Sequence, residues 1–244
     1  PTTDFACLPT YKLAEAARGT LTVVLSGEGG DEIFAGYGRY RRALRPAWLG
    51  GRPAEPRARA TFLHDHGAAA VQRWRHAAAN DARTPLGRAQ MADTQTWLPN
   101  DLLLKLDRCL MAHGLEGRTP FLDREVADFA AALPDRLKVR GRMGKWLLRL
   151  WLQTHCPVAA PFARKQGFTV PVESWIAPRA ALLGPRIAAV EGVQAVCDPD
   201  RVTAVFADGG DAGLRWPLMF YALWWLIQID GASDAEAMER IGAG

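Results

Sequence analysis

Nothing in this 244-residue chain has the spacing of a metal clasp or a disulfide framework. Its few cysteines, Cys7, Cys109, Cys156 and Cys197, lie far apart, with no Cys-x-x-Cys pair and no histidine at zinc-ligand spacing. His64 and His66 are close together, yet they sit in a polar, arginine-rich stretch without cysteine or carboxylate partners, and they read as surface. The expectation is a reduced, cytoplasmic chain with no histidine- or cysteine-based metal cluster. A secretory leader is missing, and so is an initiator methionine, which makes a segment of a longer protein the expectation. No hydrophobic run reaches the roughly 20 residues that cross a bilayer. The run from Trp216 to Ile229 reads as a buried core helix instead, so no membrane partner is expected. The net charge of +4 comes from arginines scattered along the chain and not from a basic block, so no nucleic-acid partner is expected either.

What is present is ordinary globular composition, 49% hydrophobic and 23% charged, in a length that suits one large domain or two small ones. Leu21 to Leu25 is a short apolar, β-branched run, the pattern of a strand buried on both faces of a parallel sheet. It is the one strand the sequence declares, and a lone parallel strand has no partner for its backbone groups. The rest reads as helix. Asn100 or Asp101 caps one helix carrying Leu102, Leu103, Leu106 and Leu110, with Gly114 as its stop; Asp123 caps another, ended by Pro134. Met143 or Gly144 opens a third, whose Trp146, Leu147, Leu150 and Trp151 read as core packing. Asp198 to Asp200 begins a short helix through Phe206, and Gly209, Gly210 and Gly213 mark a loop before the final apolar helix.

The chemistry gathers behind the strand. Ser26, Gly27, Glu28, Gly29, Gly30 and Asp31 form a turn at the place where α/β proteins bind ligands, and glycines there let backbone N–H groups approach a phosphate. Glycine in such a turn equally satisfies positive φ. Two acids in one tight turn repel, which a cation or reacting group between them would relieve, although Asp31 also suits the positive end of the following helix.

These residues carry a family resemblance. Val24 to Tyr37 reads VLSGEGGDEIFAGY; Leu106-Asp107-Arg108, then MAHGLEGRTPFLD over Met111 to Asp123, then RKQGF over Arg164 to Phe168 follow, with Pro171 and Trp175 beyond. In this order the blocks resemble the synthetase domain of glutamine-hydrolysing asparagine synthetases, thinly between Arg45 and Gln90 and beyond Ala188. The resemblance implies an α/β, Rossmann-like, parallel-sheet domain of the ATP pyrophosphatase type, of which this mostly α-helical chain holds about one parallel strand. It implies an ATP- and Mg2+-dependent ligase that converts aspartate to β-aspartyl-AMP and then, with ammonia from glutamine, to asparagine. By motif position, Glu28 and Lys165 would be catalytic, Ser26, Gly27, Gly29 and Gly30 would contact ATP, and Asp31 would hold magnesium. Lys165 would neutralise charge building on the phosphates. Glu116 would wall the site and Arg118 pair with a carboxylate or phosphate, unless they form an ion pair joining that loop to the core. A homodimer is compatible with this reading.

The chain also departs from the pattern. The family's amino-terminal glutaminase cysteine and its Ser-Gly-Gly-x-Asp-Ser pyrophosphate loop are not in the sequence; Ala207 to Ala212, ADGGDA, lacks both serines and reads as a loop. Residues 1–244 are therefore expected to be the carboxy-terminal portion of a synthetase domain, with the pyrophosphate loop and glutaminase domain upstream and little activity alone. The competing readings are a related amide-forming or β-lactam-synthetase-like ligase on another carboxylate, and a non-catalytic helical interaction segment. Glu28 favours ammonia, since the β-lactam synthetases carry tyrosine at that turn position.

Overall fold

A computed structural model describes residues 3–51, 62–65, 68–79, 84–163 and 170–243. Lys165 and His66 lie outside the described residues. The chain divides into two compact units, one of Pro9–Pro56 with Ala70–Phe168, the other of Pro1–Leu8, Arg57–Ala69 and Thr169–Gly244.

In the first unit, helix α1 (Cys7–Ala17) leads to strand β1 (Val23–Leu25), so the apolar run does extend as expected. It is not covered on both faces, however. Val23 is 38% and Leu25 70% exposed, and only Val24 turns toward a small cluster with Ala14, Leu110 and Leu115. The strand is not alone either. It pairs in parallel with β2 (Glu116–Arg118), in the register Val23↔Glu116, Val24↔Gly117 and Leu25↔Arg118. The polar sequence Glu-Gly-Arg hides that partner, because a β-pattern is read from side chains while the ladder is made by the backbone. The result is a mostly helical unit with a small parallel sheet, and a parallel pair needs a long crossover. Here the crossover carries α2 (Gly30–Ile33), α3 (Gly38–Ala43), α4 (Ala68–Ala79), α5 (Pro85–Gln95) and α6 (Leu104–Met111).

The expected cap at Asn100 or Asp101 is not one. Both lie within a π-helical stretch, Leu98–Leu103, that precedes α6. Their side chains bond to neighbours one turn back: Trp97 Nε1 donates to Asp101 Oδ2 at 2.6 Å, and Asn100 Nδ2 donates to the Thr96 carbonyl at 2.6 Å. Asp123 does cap α7 (Arg124–Ala132), accepting from the Glu125 N–H at 2.9 Å. After the short α8 (Asp135–Lys138), Met143 and Gly144 open no helix. They form strand β4 against β3 (Val139–Arg140), and α9 (Trp146–His155) starts beyond them.

The second unit is helical: α10 (Val172–Ile176), α11 (Ala180–Ala188), α12 (Glu191–Val196), α13 (Pro199–Phe206), α14 (Ala212–Gln228) and α15 (Asp234–Ile241). The apolar stretch forms α14, and Leu218, Ala222 and Leu226 recur on its buried side at helical spacing. Among the described residues no helix is long and apolar enough to cross a membrane. Gly192 lets α12 close on α14, for a Cβ there would stand 2.0 Å from the Trp225 ring. Arg215 is buried but answered, with Glu173 at 2.6 Å and the Val205 and Ala207 carbonyls at 3.0 Å. The helix α15 was not foreseen, although Ser233 and Glu236 form a capping box before it.

Ile187 is fully buried in the core of this second unit, whereas Val158 in the first unit is 90% exposed. Ile187→Ala is expected to cost about 2–5 kcal/mol in urea unfolding, and Val158→Ser less than about 0.5 kcal/mol.

Candidate active site

The turn after β1 is built as much by packing as by conformational freedom. Ser26 extends the ladder, its N–H donating to the Arg118 carbonyl at 2.7 Å, while its Oγ accepts from the Glu28 N–H at 3.2 Å. Gly29 stands at φ +86°, and a Cβ there would meet Leu122 Cδ2 at 2.2 Å. Gly30 is buried against Phe121, and its N–H bonds the Gly27 carbonyl at 3.2 Å. Gly27 differs: it is exposed and has open space where a side chain would be, so its backbone can be approached from outside.

The two acids of the turn each meet a lysine. Glu28 Oε1 lies 3.5 Å from Lys105 Nζ, and Asp31 Oδ1 lies 3.2 Å from Lys145 Nζ. The repulsion between the two acids is thus met by two cations of the fold itself. Lys105 is 5% exposed, projecting from α6 among leucines, and a single lysine in an apolar helix face was the available signal. Lys145 had no comparable signal, because its position depends on its backbone. It adopts φ 55° and ψ 34°, a left-handed conformation that costs a non-glycine residue about 1–2 kcal/mol. Its N–H donates to the Phe34 carbonyl at 3.1 Å. Strain held at a charged side chain in a cleft marks functional positions more often than ordinary ones. Gly36 completes the pair, since a Cβ there would fall 1.6 Å from Asp31 Oδ1.

Behind the turn lies a buried polar layer. The Tyr37 hydroxyl donates to Glu32 Oε1 at 2.5 Å, Gln90 Nε2 donates to the Glu32 carbonyl at 2.5 Å, and Lys138 Nζ donates to Gln90 Oε1 at 3.1 Å. Burial pushes the Glu32 carboxyl above the ordinary glutamate range, against the opposing pull of the Tyr37 hydrogen bond. Burial, with Glu32 beside it, likewise holds the Tyr37 phenol protonated far above its usual range, and burial lowers the Lys138 ammonium. Asp93 ties in α5 by accepting from Arg39 Nη2 at 2.8 Å, Tyr40 at 2.5 Å and Trp74 Nε1 at 3.2 Å.

A cavity of about 650 Å³ opens beside Asp31 and Lys145, lined also by Leu148, Arg149, Trp151 and Pro161. Arg149 is held in place by donating to the Gly144 carbonyl at 2.9 Å and to the Pro161 carbonyl. The reading of α9 as core packing is thus corrected. No residue of that helix is fully buried, Leu150 is 40% and Trp151 57% exposed, and part of its apolar face walls the cavity. The structure therefore gathers Ser26, Gly27, Glu28, Gly29, Gly30 and Asp31 at one turn, adds Lys105 and Lys145, and leaves Lys165 outside the described residues. Glu116 and Arg118 pair with each other at 2.8 Å on the exposed β2 rather than joining a loop to the core. Among the described residues no three histidine, cysteine, aspartate or glutamate side chains converge as metal ligands.

Comparison with known proteins agrees with the motif reading. The profile of the family described as Asparagine synthase matches residues 1–230. Asparagine synthetase [glutamine-hydrolyzing] 1 of Bacillus subtilis is 29% identical over 280 aligned positions, covering 94% of this chain and 44% of that protein. Asparagine synthetase B [glutamine-hydrolyzing] of Escherichia coli is 27% identical over 179, covering 72% of this chain and 26% of the relative. The chain spans less than half the length of these relatives.

The Glu32 carboxyl gives a pH test whose sign is fixed by its raised affinity for a proton. Between the ordinary glutamate range and the raised folded value, the folded state holds more protons than the unfolded one, so stability falls as pH rises through that window. Glu32→Gln, which keeps an acceptor for Tyr37, is expected to remove this slope and to raise the neutral-pH melting temperature. The gain should be about 1.4 kcal/mol for each pKa unit of displacement. Thermal melts of both proteins from acid to neutral pH measure it.

Proposed function

This chain belongs to the asparagine synthase family, and from that premise we propose that it forms part of the adenylating site of an ATP-dependent, amide-forming ligase. The substrate carboxylate attacks the α-phosphate of ATP and expels pyrophosphate, giving an acyl-adenylate. Ammonia then attacks the acyl carbon and AMP leaves. The favoured substrate is aspartate and the favoured product asparagine, with ammonia released from glutamine in a glutaminase domain of the same protein. The observation that carries the reading is the meeting of Lys105 with Glu28 and of Lys145 with Asp31 at one turn, the second pair lining a cavity.

In this reading the exposed backbone of Gly27, with the half-buried Ser26 beside it, meets the nucleotide. Glu28, held by Lys105, takes a proton from the attacking ammonia, and Lys145 and Lys165 offset negative charge on the phosphates. Magnesium needs only one or two protein carboxylates when phosphates complete its shell, and Asp31 fits that role. Lys145 Nζ already stands 3.2 Å from Asp31 Oδ1, so the position accepts a cation. Bound there, magnesium would help neutralise the phosphates. The short parallel pair would belong to a larger Rossmann-like sheet, consistent with the exposure of Leu21, Val23 and Leu25. Cys7, Cys109, Cys156 and Cys197 form no disulfide with one another, which suits a cytoplasmic setting. A second reading, a ligase for a less polar carboxylate than aspartate, draws support from the apolar Leu148, Trp151 and Pro161 in the cavity wall.

Aspartate-dependent exchange of label between pyrophosphate and ATP, followed by product analysis with ammonia, tests this in the full-length protein. Glu28→Gln is expected to lower amide formation by about a hundredfold or more. Lys145→Met is expected to slow the exchange by a similar factor. Exchange supported by another carboxylate but not by aspartate favours the second reading, and no exchange with any carboxylate overturns the ligase assignment.

A further inference from the structure

A second concavity in the acidic-turn unit, about 370 Å³ in volume, is lined by Gly38, Arg41, Arg42, Arg45 and Arg142. Three of the arginines come from α3 and the residues just after it, and the fourth from the turn between β3 and β4. Arg41, Arg42 and Arg45, with Arg39 before them, do stand close together in the chain, but Arg142 is far along it from them, and only the fold brings it to the same hollow. Among the described residues none of the four guanidinium groups has a carboxylate within ion-pair distance, which distinguishes them from Arg39, Arg118 and Arg215. Among the described residues only Arg41 of the four has a side-chain hydrogen bond, its Nη1 donating to the Gly36 carbonyl at 3.3 Å.

Four cations around one hollow repel each other unless something negative stands among them. Guanidinium groups supply planar, forked donors that fit phosphate oxygens, and they stay charged at every physiological pH. The hollow is concave and small, which suits a compact multivalent anion better than the length of a nucleic-acid backbone. We propose that Arg41, Arg42, Arg45 and Arg142 form a binding site for a small oligophosphate anion, separate from the cavity beside Asp31 and Lys145. The two sites are lined by different side chains, so the proposal stands whether or not the ligase reading does.

Inorganic tripolyphosphate, titrated calorimetrically into the full-length protein, tests it. The wild type is expected to bind, with affinity falling as salt rises. Arg42→Gln/Arg45→Gln/Arg142→Gln is expected to lose about tenfold or more of that affinity while its melting temperature and its calorimetric affinity for AMP stay unchanged. If the triple variant melts early, the exposed pair Arg45→Gln/Arg142→Gln replaces it, with the same loss expected. Unchanged tripolyphosphate binding in the variant overturns the proposal. So does a parallel loss of AMP affinity, which would assign the arginines to the nucleotide site, and so does tighter binding of a single-stranded oligonucleotide than of tripolyphosphate.

Discussion

Two carboxylates in one glycine turn repel each other, and the fold spends much of its local structure in answering that repulsion. Lys105 reaches Glu28 from α6, and Lys145 reaches Asp31 from the left-handed residue ahead of α9. Neither pair forms unless distant segments dock at the turn. The β3–β4 hairpin closes on it so tightly that a Cβ at Gly144 would lie 2.1 Å from the Ala35 carbonyl oxygen, and Ala35 itself is buried with φ 59°. Partly buried ion pairs contribute little net stability once desolvation is counted, so their more telling effect is on position. They fix where two acids and two cations sit around the turn, Asp31 and Lys145 at the edge of a cavity.

The glycines of the turn divide their work accordingly. Gly29 and Gly30 admit Leu122 and Phe121, and Gly36 admits the Asp31 carboxylate, so a side chain at any of the three would displace a neighbour. Only Gly27 leaves its backbone open to an approaching ligand. A turn rich in glycine is therefore not a uniform phosphate cradle. Behind it, Glu32 is buried where bulk water would otherwise hydrate the carboxylate; the half-buried Tyr37 answers that carboxylate, and the Gln90 amide holds the α2 turn against α5.

What the sequence made legible was local. The strand at Val23–Leu25, the cap at Asp123, the helix from Pro199 to Phe206 and the apolar α14 follow from side-chain periodicity and caps, and so does the motif cluster from Ser26 to Asp31. What it hid was set by backbone or by distance. Strand β2 has no β-pattern because its pairing uses main-chain groups alone, and Lys145 is a site residue because of a φ angle that no composition announces. Trp151 reads as core by its hydrophobicity, yet it borders a cavity, since an apolar face packs equally well against protein or around a ligand.

Gly36 shows how opposite charges can be kept apart in so small a region. Asp31 occupies the space its missing side chain leaves, while its carbonyl oxygen takes the Arg41 guanidinium. On the neighbouring hairpin, Arg142 lines the arginine hollow and Lys145 pairs with Asp31. Two short segments thus contribute to both the acidic turn and the basic hollow. Because the arginines meet no carboxylate among the described residues, the acids of the turn stay paired with their own lysines. An anion settling among the arginines would bear on Gly36 through Arg41, and a shift of Gly36 cannot leave Asp31 where it is. Gly36 and the hairpin are thus two structural links between the hollow and the turn among the described residues.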